Sequence, residues 1–461
     1  MGIGAHVLEE SPCCPDLNSP AGGWTELIDD IYLGRWVNPA TGERSPRSAT
    51  EKIVIAETLD GEEVSLLRSV GISGGPVAIV ADANTWEALG RRVHDACLAG
   101  GLAVRATILD EEPHANLAMA AKLCDRVTGV DHLVAVGSGT INDLCKYVTA
   151  QDGRTCSVFG TAASMDGYTS STASMRLPGG LRVSLKAHAP KGVFLELETI
   201  AAAPPRMAAA GFGDCLCSSV ARIDWWMSHR LLETFFREEP YIISAKNDVE
   251  MNARAAAIGR GDTEAVGYLV RSLTLSGLGV GFTGVSNHGS MSEHQISHYI
   301  DCFAQERHPG TLHGEQVGVA SITMARLQQW LLERPQPPML EPTRIDEDDM
   351  ARRMGPQVGA QCAAEYKRKA LDACGAATLN GKLQEIWPAL RRECLSLCVP
   401  VETMRERLSA AGGATTAAEL GLDAAFYREA VRHAHEMRNR FSFVDIACDA
   451  GLLDDFAAEA A

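Results

Sequence analysis

Short apolar runs alternate with longer stretches of helical periodicity in the first part of the chain, and then the short runs stop. EKIVIAE from Glu51, GPVAIVAD from Gly75, LAVRATIL from Leu102, DHLVAVG from Asp131, TCSVFG from Thr155 and GVFLELE from Gly192 are brief, β-branched and almost continuously apolar. That pattern marks strands buried on both faces, as in a parallel sheet. Between them, TWEALGRRVHDACLAGG and ANLAMAAKLCDRVTG space their apolar residues as helices and end on glycine. Such alternation predicts βαβ units and an open, doubly wound sheet over residues 50–203. After Pro204-Pro205 the strand pattern disappears, and AAEYKRKALDACGA, LQEIWPALRRECLSL and DAAFYREAVRHAHEMRNRF read as helices. The expected fold class is α/β plus all-α. Residues 1–49 form an extension and lead-in, residues 50–203 an α/β domain and residues 204–461 an all-helical domain. FGTAASMDGYTSSTAS and PQPPMLEPTRIDEDDM are read as loops.

Composition narrows the class of function. A chain of 461 residues, 46% hydrophobic and 22% charged, has ample core for two or three domains. Its formal charge of −17 argues against a nucleic-acid partner, which needs a basic face. No apolar run reaches membrane-spanning length, and the N-terminus has neither the basic nor the hydrophobic part of a secretory signal, so a cytoplasmic protein is expected. The 14 cysteines include no CxxC pair, and buried reduced thiols are the expectation for nearly all of them.

Five places carry candidate chemistry, each with a structural alternative. Asp82 ends a strand, where a carboxylate meets ribose hydroxyls or simply caps the next helix. Gly137-Ser138-Gly139-Thr140 joins a strand directly to a helix, giving either a phosphate cradle or an ordinary glycine turn. The run holding Thr161, Ser164, Asp166, Thr169 and Ser170 offers donors and acceptors to a ligand, or bonds its own backbone. Asp214 is expected at the start of the first long helix of the second half, a usual capping position. His294 and His298 lie four apart on one helical face, with His313 following in His-Gly-Glu. They are read as metal- and substrate-facing imidazoles, or as polar surface.

Taken in order, YLGRWVNPATGE, GSGTINDLCKY, FGTAASMDGYTSS, GFGD, SEHQISH and LHGEQVGV span about Trp24 to Arg326. Together they resemble the glycerol-1-phosphate dehydrogenases, bacterial branch, of the iron-containing alcohol dehydrogenase and dehydroquinate synthase-like superfamily. The resemblance implies a nicotinamide dinucleotide, NAD(H) or NADP(H), on the α/β domain and one divalent metal ion, zinc, nickel or iron, in the cleft. Gly137, Ser138, Gly139 and Thr140 would hold the pyrophosphate, with Asp143 nearby. Thr161, Ser164 and Ser170 would line the nicotinamide side, and Asp82 would meet the adenosine ribose and favour NAD(H). Asp214, His294 and His313 would ligate the metal. Asp166 and His298 would be the catalytic pair contacting substrate hydroxyls, with Asp214 close enough to do both. A homodimer or larger homo-oligomer is the family expectation.

The implied reaction is metal-dependent reduction of glycerone phosphate to sn-glycerol 1-phosphate. A carboxylate and two imidazoles leave positions open on an ion that acts as Lewis acid while hydride arrives. The alternative keeps fold and metal with another polyol, a phosphonate alcohol or a sugar phosphate, in the manner of glycerol dehydrogenase or dehydroquinate synthase. One departure bears on the choice. The family carries Arg-Pro-Ala-Ser before Ser-Glu-His, and here Asn287 and His288 stand where Arg and Pro are expected.

Overall fold

The computed structural model describes residues 23–109, 112–178 and 180–460. Cys13 and Cys14 of the expected extension lie outside the described residues. All six anticipated strands form: β1 (Lys52–Ala56), β2 (Pro76–Asp82), β3 (Ala103–Leu109), β4 (His132–Gly137), β5 (Thr155–Gly160) and β8 (Gly192–Glu196). They make one parallel sheet in the order β1-β8-β5-β4-β2-β3. Burial on both faces explains the unbroken apolar runs. Val77, Ile79, Ala81, Val134 and Val136 point into one apolar layer, while Ala78, Val80, Leu133 and Ala135 point into the other.

The chain leaves β2 outward to β3, then returns across β2 to β4 and continues the opposite way through β5 to β8. Connections therefore diverge at the carboxyl ends of β2 and β4, the crevice where doubly wound sheets bind ligands. Asp82 ends β2 and Gly137 ends β4.

One strand pair escaped the sequence pattern. β6 (Thr172–Arg176) and β7 (Arg182–Lys186) form an antiparallel hairpin apart from the main sheet, where a loop was expected at residues 172–174. Its strands carry Ser, Ala, Arg and Lys with only alternate positions buried in β6, so strand propensity is weak and pairing decides.

From Pro205 onward the described residues contain helices and no strand. Five helices frame the site: α1 (Gly139–Asp152), α2 (Pro205–Leu216), α3 (Thr263–Thr283), α4 (Ser292–Phe303) and α5 (His313–Leu332). By length and composition α3 alone among the described residues is apolar enough to cross a membrane, yet 78% of that window is buried inside the protein. It is a core helix, with the Trp24 ring packed at Gly267 and the 166–169 loop at Gly277.

Two of the helical stretches read from sequence are interrupted. AAEYKRKALDACGA breaks after Lys367 because Asp372 caps a new helix, accepting from the Gly375 N–H at 2.7 Å. DAAFYREAVRHAHEMRNRF is helical only to His433. It continues as a 3-10 turn to Met437 and then turns to extended backbone at Arg438.

Candidate active site between the sheet and the helical half

The site begins where β4 turns into α1. A Cβ on Gly137 would lie 2.7 Å from Ile141, so the helix returns too closely for any larger residue. Ser138 is the N-cap and makes no side-chain cap bond, which leaves the first-turn N–H groups facing outward. That arrangement, with the positive end of a 14-residue helix, suits an anion.

The rest of the motif faces the other way. Asn142 donates to the Gly167 carbonyl at 3.2 Å, and the fully buried Lys146 ammonium reaches Gly167 O at 2.9 Å and Ser170 Oγ at 3.2 Å. Lys146 also pairs with Asp143 at 3.0 Å, while the second Asp143 oxygen accepts the Ser174 N–H at 3.1 Å. Asp143 therefore anchors the hairpin, and Ser170, which also donates to Thr172 O, anchors the loop. Tyr168 donates to Gly137 O and Ala162 O, tying that loop back to the 137–140 turn. Thr161 is buried against the same turn, its N–H on Gly137 O at 3.2 Å, and Ser164 is partly exposed. Asp82 takes the capping role, its Oδ1 accepting from the Thr85 N–H at 2.8 Å.

Beyond the loop lies the cluster anticipated from the histidines. Contrary to the sequence expectation, Asp214 does not start a helix but sits near the end of α2, and glycine contacts fix its place. A Cβ on Gly213 would lie 2.3 Å from Gly314 O, and one on Gly211 would overlap the Ala163 carbonyl. Backbone-to-backbone packing of α2 on α5 thus sets Asp214 beside His313.

Ligand atoms of Asp214, His294 and His313 lie within 4.8 Å of one another. Asp214 Oδ1 is 3.5 Å from His294 Nε2, and its Oδ2 accepts the Asp166 N–H at 3.3 Å. His294 Nδ1 is held by Glu293 Oε1 at 3.0 Å, which turns Nε2 toward Asp214. Ser297 donates its hydroxyl hydrogen to Gln316 Oε1 at 2.7 Å. Its oxygen then accepts from His313 Nδ1 at 2.8 Å, so the lone pair of His313 is on Nε2. Each ring is oriented from behind, as metal-binding histidines are. The donor set, one carboxylate and two oriented imidazoles, fits a borderline divalent ion.

A second group, Cys217, Glu293 and His294, is also close enough to share an ion. Its thiol is committed, however, donating to Asp214 O at 2.8 Å, and burial pushes it well above the usual thiol range.

The protons on these groups reflect burial and mutual field. Burial would lower His294, but hydrogen bonds to Asp214 and Glu293 outweigh it and hold the imidazole at about 9. Burial and the neighbouring His294 push His313 down to about 4. Burial and then Asp214 raise the Asp166 carboxyl to about 6, although Ser276 donates to it at 2.8 Å. His298 is pushed well down by burial, Arg438 and the other two histidines. Its ring centroid is 5.6 Å from that of His313 and 6.4 Å from that of His294.

The structure thus gathers Asp166, Asp214, His294, His298 and His313 into one cluster. Gly137 to Thr140 and Thr161 adjoin it through the 161–170 loop, and Asp82 stands apart at the end of β2. Sequence reasoning missed Glu293, Ser297 and Gln316, although all three lie inside the histidine stretch. It also missed Arg438, whose NH2 is 3.2 Å from His298 Nε2, and no proximity along the chain pointed to it.

Comparison with known proteins agrees with this architecture. Residues 54–204 match the family model described as iron-containing alcohol dehydrogenase. The chain is 31% identical over 287 residues to the glycerol-1-phosphate dehydrogenase [NAD(P)+] of Thermococcus kodakarensis, covering 61% of this chain and 79% of that protein. The Bacillus velezensis enzyme of the same name is 27% identical over 377 residues, 80% of this chain and 84% of that one. In fold, the chain is similar to a probable glycerol dehydrogenase from Sinorhizobium meliloti, with a TM-score of 0.59 and 18% identity over 89% of this chain and 98% of that one. A parallel sheet with a helical second half, an iron-containing alcohol dehydrogenase match and relatives above 30% identity together establish that the chain belongs to the glycerol-1-phosphate dehydrogenase family and is an NAD(P)-dependent oxidoreductase.

Proposed function

We propose that the protein reduces glycerone phosphate to sn-glycerol 1-phosphate with hydride from a nicotinamide dinucleotide. One observation carries the reading: Asp214, His294 and His313 bring three ligand atoms within 4.8 Å, with Asp166 and His298 against them. A divalent ion held by Asp214, His294 and His313 would supply Lewis acidity toward the substrate carbonyl. Around it the chain's own groups bind and orient. Ser138 and the first turn of α1 would take the pyrophosphate, and Thr161 and Ser164 would line the nicotinamide side. Asp143 and Ser170 are fully engaged with Lys146 and the hairpin, so their part in cofactor binding is to fix the loop.

Arg438 is always a donor, so His298 Nε2 accepts from it and the N–H of the neutral ring lies on Nδ1. That buried Nδ1 has no protein partner, which suits a substrate oxygen. Asp166, held by Ser276, would accept from a substrate hydroxyl. Asp82 keeps Oδ2 free of the cap for a ribose hydroxyl, which supports NAD(H) over NADP(H). In the proposed division, residues 50–203 carry the dinucleotide and residues 204–461 the metal and substrate.

The test is NADH oxidation by metal-loaded enzyme, with glycerone phosphate beside unphosphorylated dihydroxyacetone and a chelated control. Turnover of glycerone phosphate that chelation abolishes is the expected result. Turnover only of dihydroxyacetone moves the protein to the glycerol dehydrogenase side, a reading that the missing Arg-Pro favours. Activity that survives chelation sinks the metal.

A further inference from the structure

Asn287 and His288 stand where the resemblance expects Arg and Pro, and His288 does not replace the missing cation. It is buried, its Nε2 bonds Ser276 O at 3.0 Å, and burial pushes the imidazole down to about 4. A cationic group must reach this end of the cleft from elsewhere. Arg438 and Arg440 do so, from the turn between the 3-10 segment Ala434–Met437 and the helix Phe443–Asp449.

Their partners set them apart from neighbouring arginines. Arg353 pairs with Asp349 at 2.6 Å and Glu436 at 2.7 Å, and Arg182 pairs with Asp301 at 3.2 Å. Among the described residues neither Arg438 nor Arg440 makes an ion pair. Arg438 bonds the neutral His298, and Arg440 donates to Ser290 O and, at 3.0 Å, to Ser286 Oγ. Arg440 thereby holds the 286–290 loop that lacks the expected arginine. Burial pushes both guanidiniums down, Arg440 to about 9, and each hydrogen-bonds only neutral groups, with Glu365 acting on Arg438 and Glu293 on Arg440 only through space. Two partly buried cations with only neutral partners are costly unless an anion joins them. Both side chains are partly exposed, and Arg438 spends one nitrogen on His298.

Resting on the function proposed above, we infer that Arg438, supported by Arg440, binds the phosphate monoester of the substrate. The position fits the chemistry. Arg438 stands 3.2 Å from His298 Nε2, and the His298 ring centroid is 5.6 Å from that of the candidate ligand His313, so the guanidinium is within the reach of a short substrate seated at the ligand cluster. Arginine presents a planar fork to phosphate oxygens, and five donors allow one for His298 and two for phosphate. The dinucleotide phosphates are accounted for at α1, on the other side of the 161–170 loop.

The test compares full-length, metal-loaded wild type with Arg438→Met, Arg438→Lys and Arg440→Met. The readout is the ratio of kcat/KM for glycerone phosphate to that for dihydroxyacetone, with NADH and again with NADPH. In Arg438→Met the ratio falls about 10- to 100-fold, the usual cost of a charge-assisted hydrogen bond, and the fall is in KM. Lys restores part of it, and inorganic phosphate ceases to compete with glycerone phosphate. A ratio within twofold of wild type overturns the inference, because a purely structural role lowers both substrates together. A loss confined to NADPH also overturns it, assigning the arginine to the cofactor. If wild type turns over neither substrate, the proposed function has failed, and calorimetry with inorganic phosphate decides the anion site. Binding by wild type and not by Arg438→Met supports it, and equal or absent binding refutes it.

Discussion

Replacing Gly213 with alanine tests whether backbone packing of α2 on α5 positions the metal ligands. The added Cβ would lie 2.3 Å from Gly314 O and 3.2 Å from Gly318 Cα. The first distance is about 1 Å short of ordinary contact, and both neighbours are backbone, so no rotamer change relieves it. The helices must part, and a gap of that size forfeits a quarter to a half of each dispersion contact along the interface. With overpacking strain of about 1–3 kcal/mol, we expect a total loss of about 3 kcal/mol. Asp214 follows Gly213 on α2, and His313 precedes Gly314 on α5. Parting the helices therefore separates two of the three ligands. Metal distances tolerate only about 0.2 Å, so affinity for zinc or nickel falls by about 100-fold or more. Competition with a chromophoric chelator measures the affinity, and urea unfolding measures the stability. Gly381→Ala is the control: it lies in the helix Ala373–Leu397 with no atom within 4 Å of the added Cβ. That change stabilises by about 0.5–1 kcal/mol through helix propensity alone. A Gly213→Ala enzyme that binds metal within threefold of wild type and unfolds at the same urea concentration refutes the reasoning.

Other outcomes follow from the same contacts. Lys146→Met leaves the mostly buried Asp143 carboxylate without its cation and Ser170 Oγ without a donor. Because Asp143 keeps the Ser174 N–H, the loss is about 2–4 kcal/mol, below the usual cost of breaking a buried pair. Thermal unfolding reads the stability, and KM for NADH rises as the 167–170 loop loses its anchor; an unchanged midpoint contradicts the assignment. His132 is 2% exposed, its ring nitrogens on Thr155 Oγ1 at 2.7 Å and Ser157 Oγ at 3.1 Å. Burial, helped by Lys191 and His188, pushes it from 6.5 down to about 3. Its folded value is depressed, so its contribution is complete above pH 6.5 and is lost as pH falls toward 3, on the order of 5 kcal/mol in all. His132→Gln keeps a polar group that does not titrate, and the pH dependence of the unfolding midpoint should flatten across that window. A profile parallel to wild type would remove His132 from the account of acid sensitivity.

The sequence by itself determined the sheet. Burial of a strand on both faces forces a continuous apolar run, and that signal is local, so all six strands were legible from Lys52 to Glu196. It also determined the candidate ligands, because His294, His298 and His313 lie within twenty residues and carry distinctive chemistry. The hairpin of β6 and β7 was not legible, since its polar residues become strands only by pairing with each other. Nor was the place of Asp214 in its helix, because a carboxylate beside glycine reads as a cap until the α5 backbone is seen against it. The sequence offered GSGTINDLCKY as one motif, whereas the fold divides it between an anion-ready turn and a buried Asn142, Asp143 and Lys146 that hold the next loop. Tertiary structure alone decided that Arg438 reaches the histidine cluster and Arg440 the loop before it. They stand 140 residues and more beyond His298, and only packing of the chain's last quarter against α4 brings an unpaired guanidinium to within 3.2 Å of that ring.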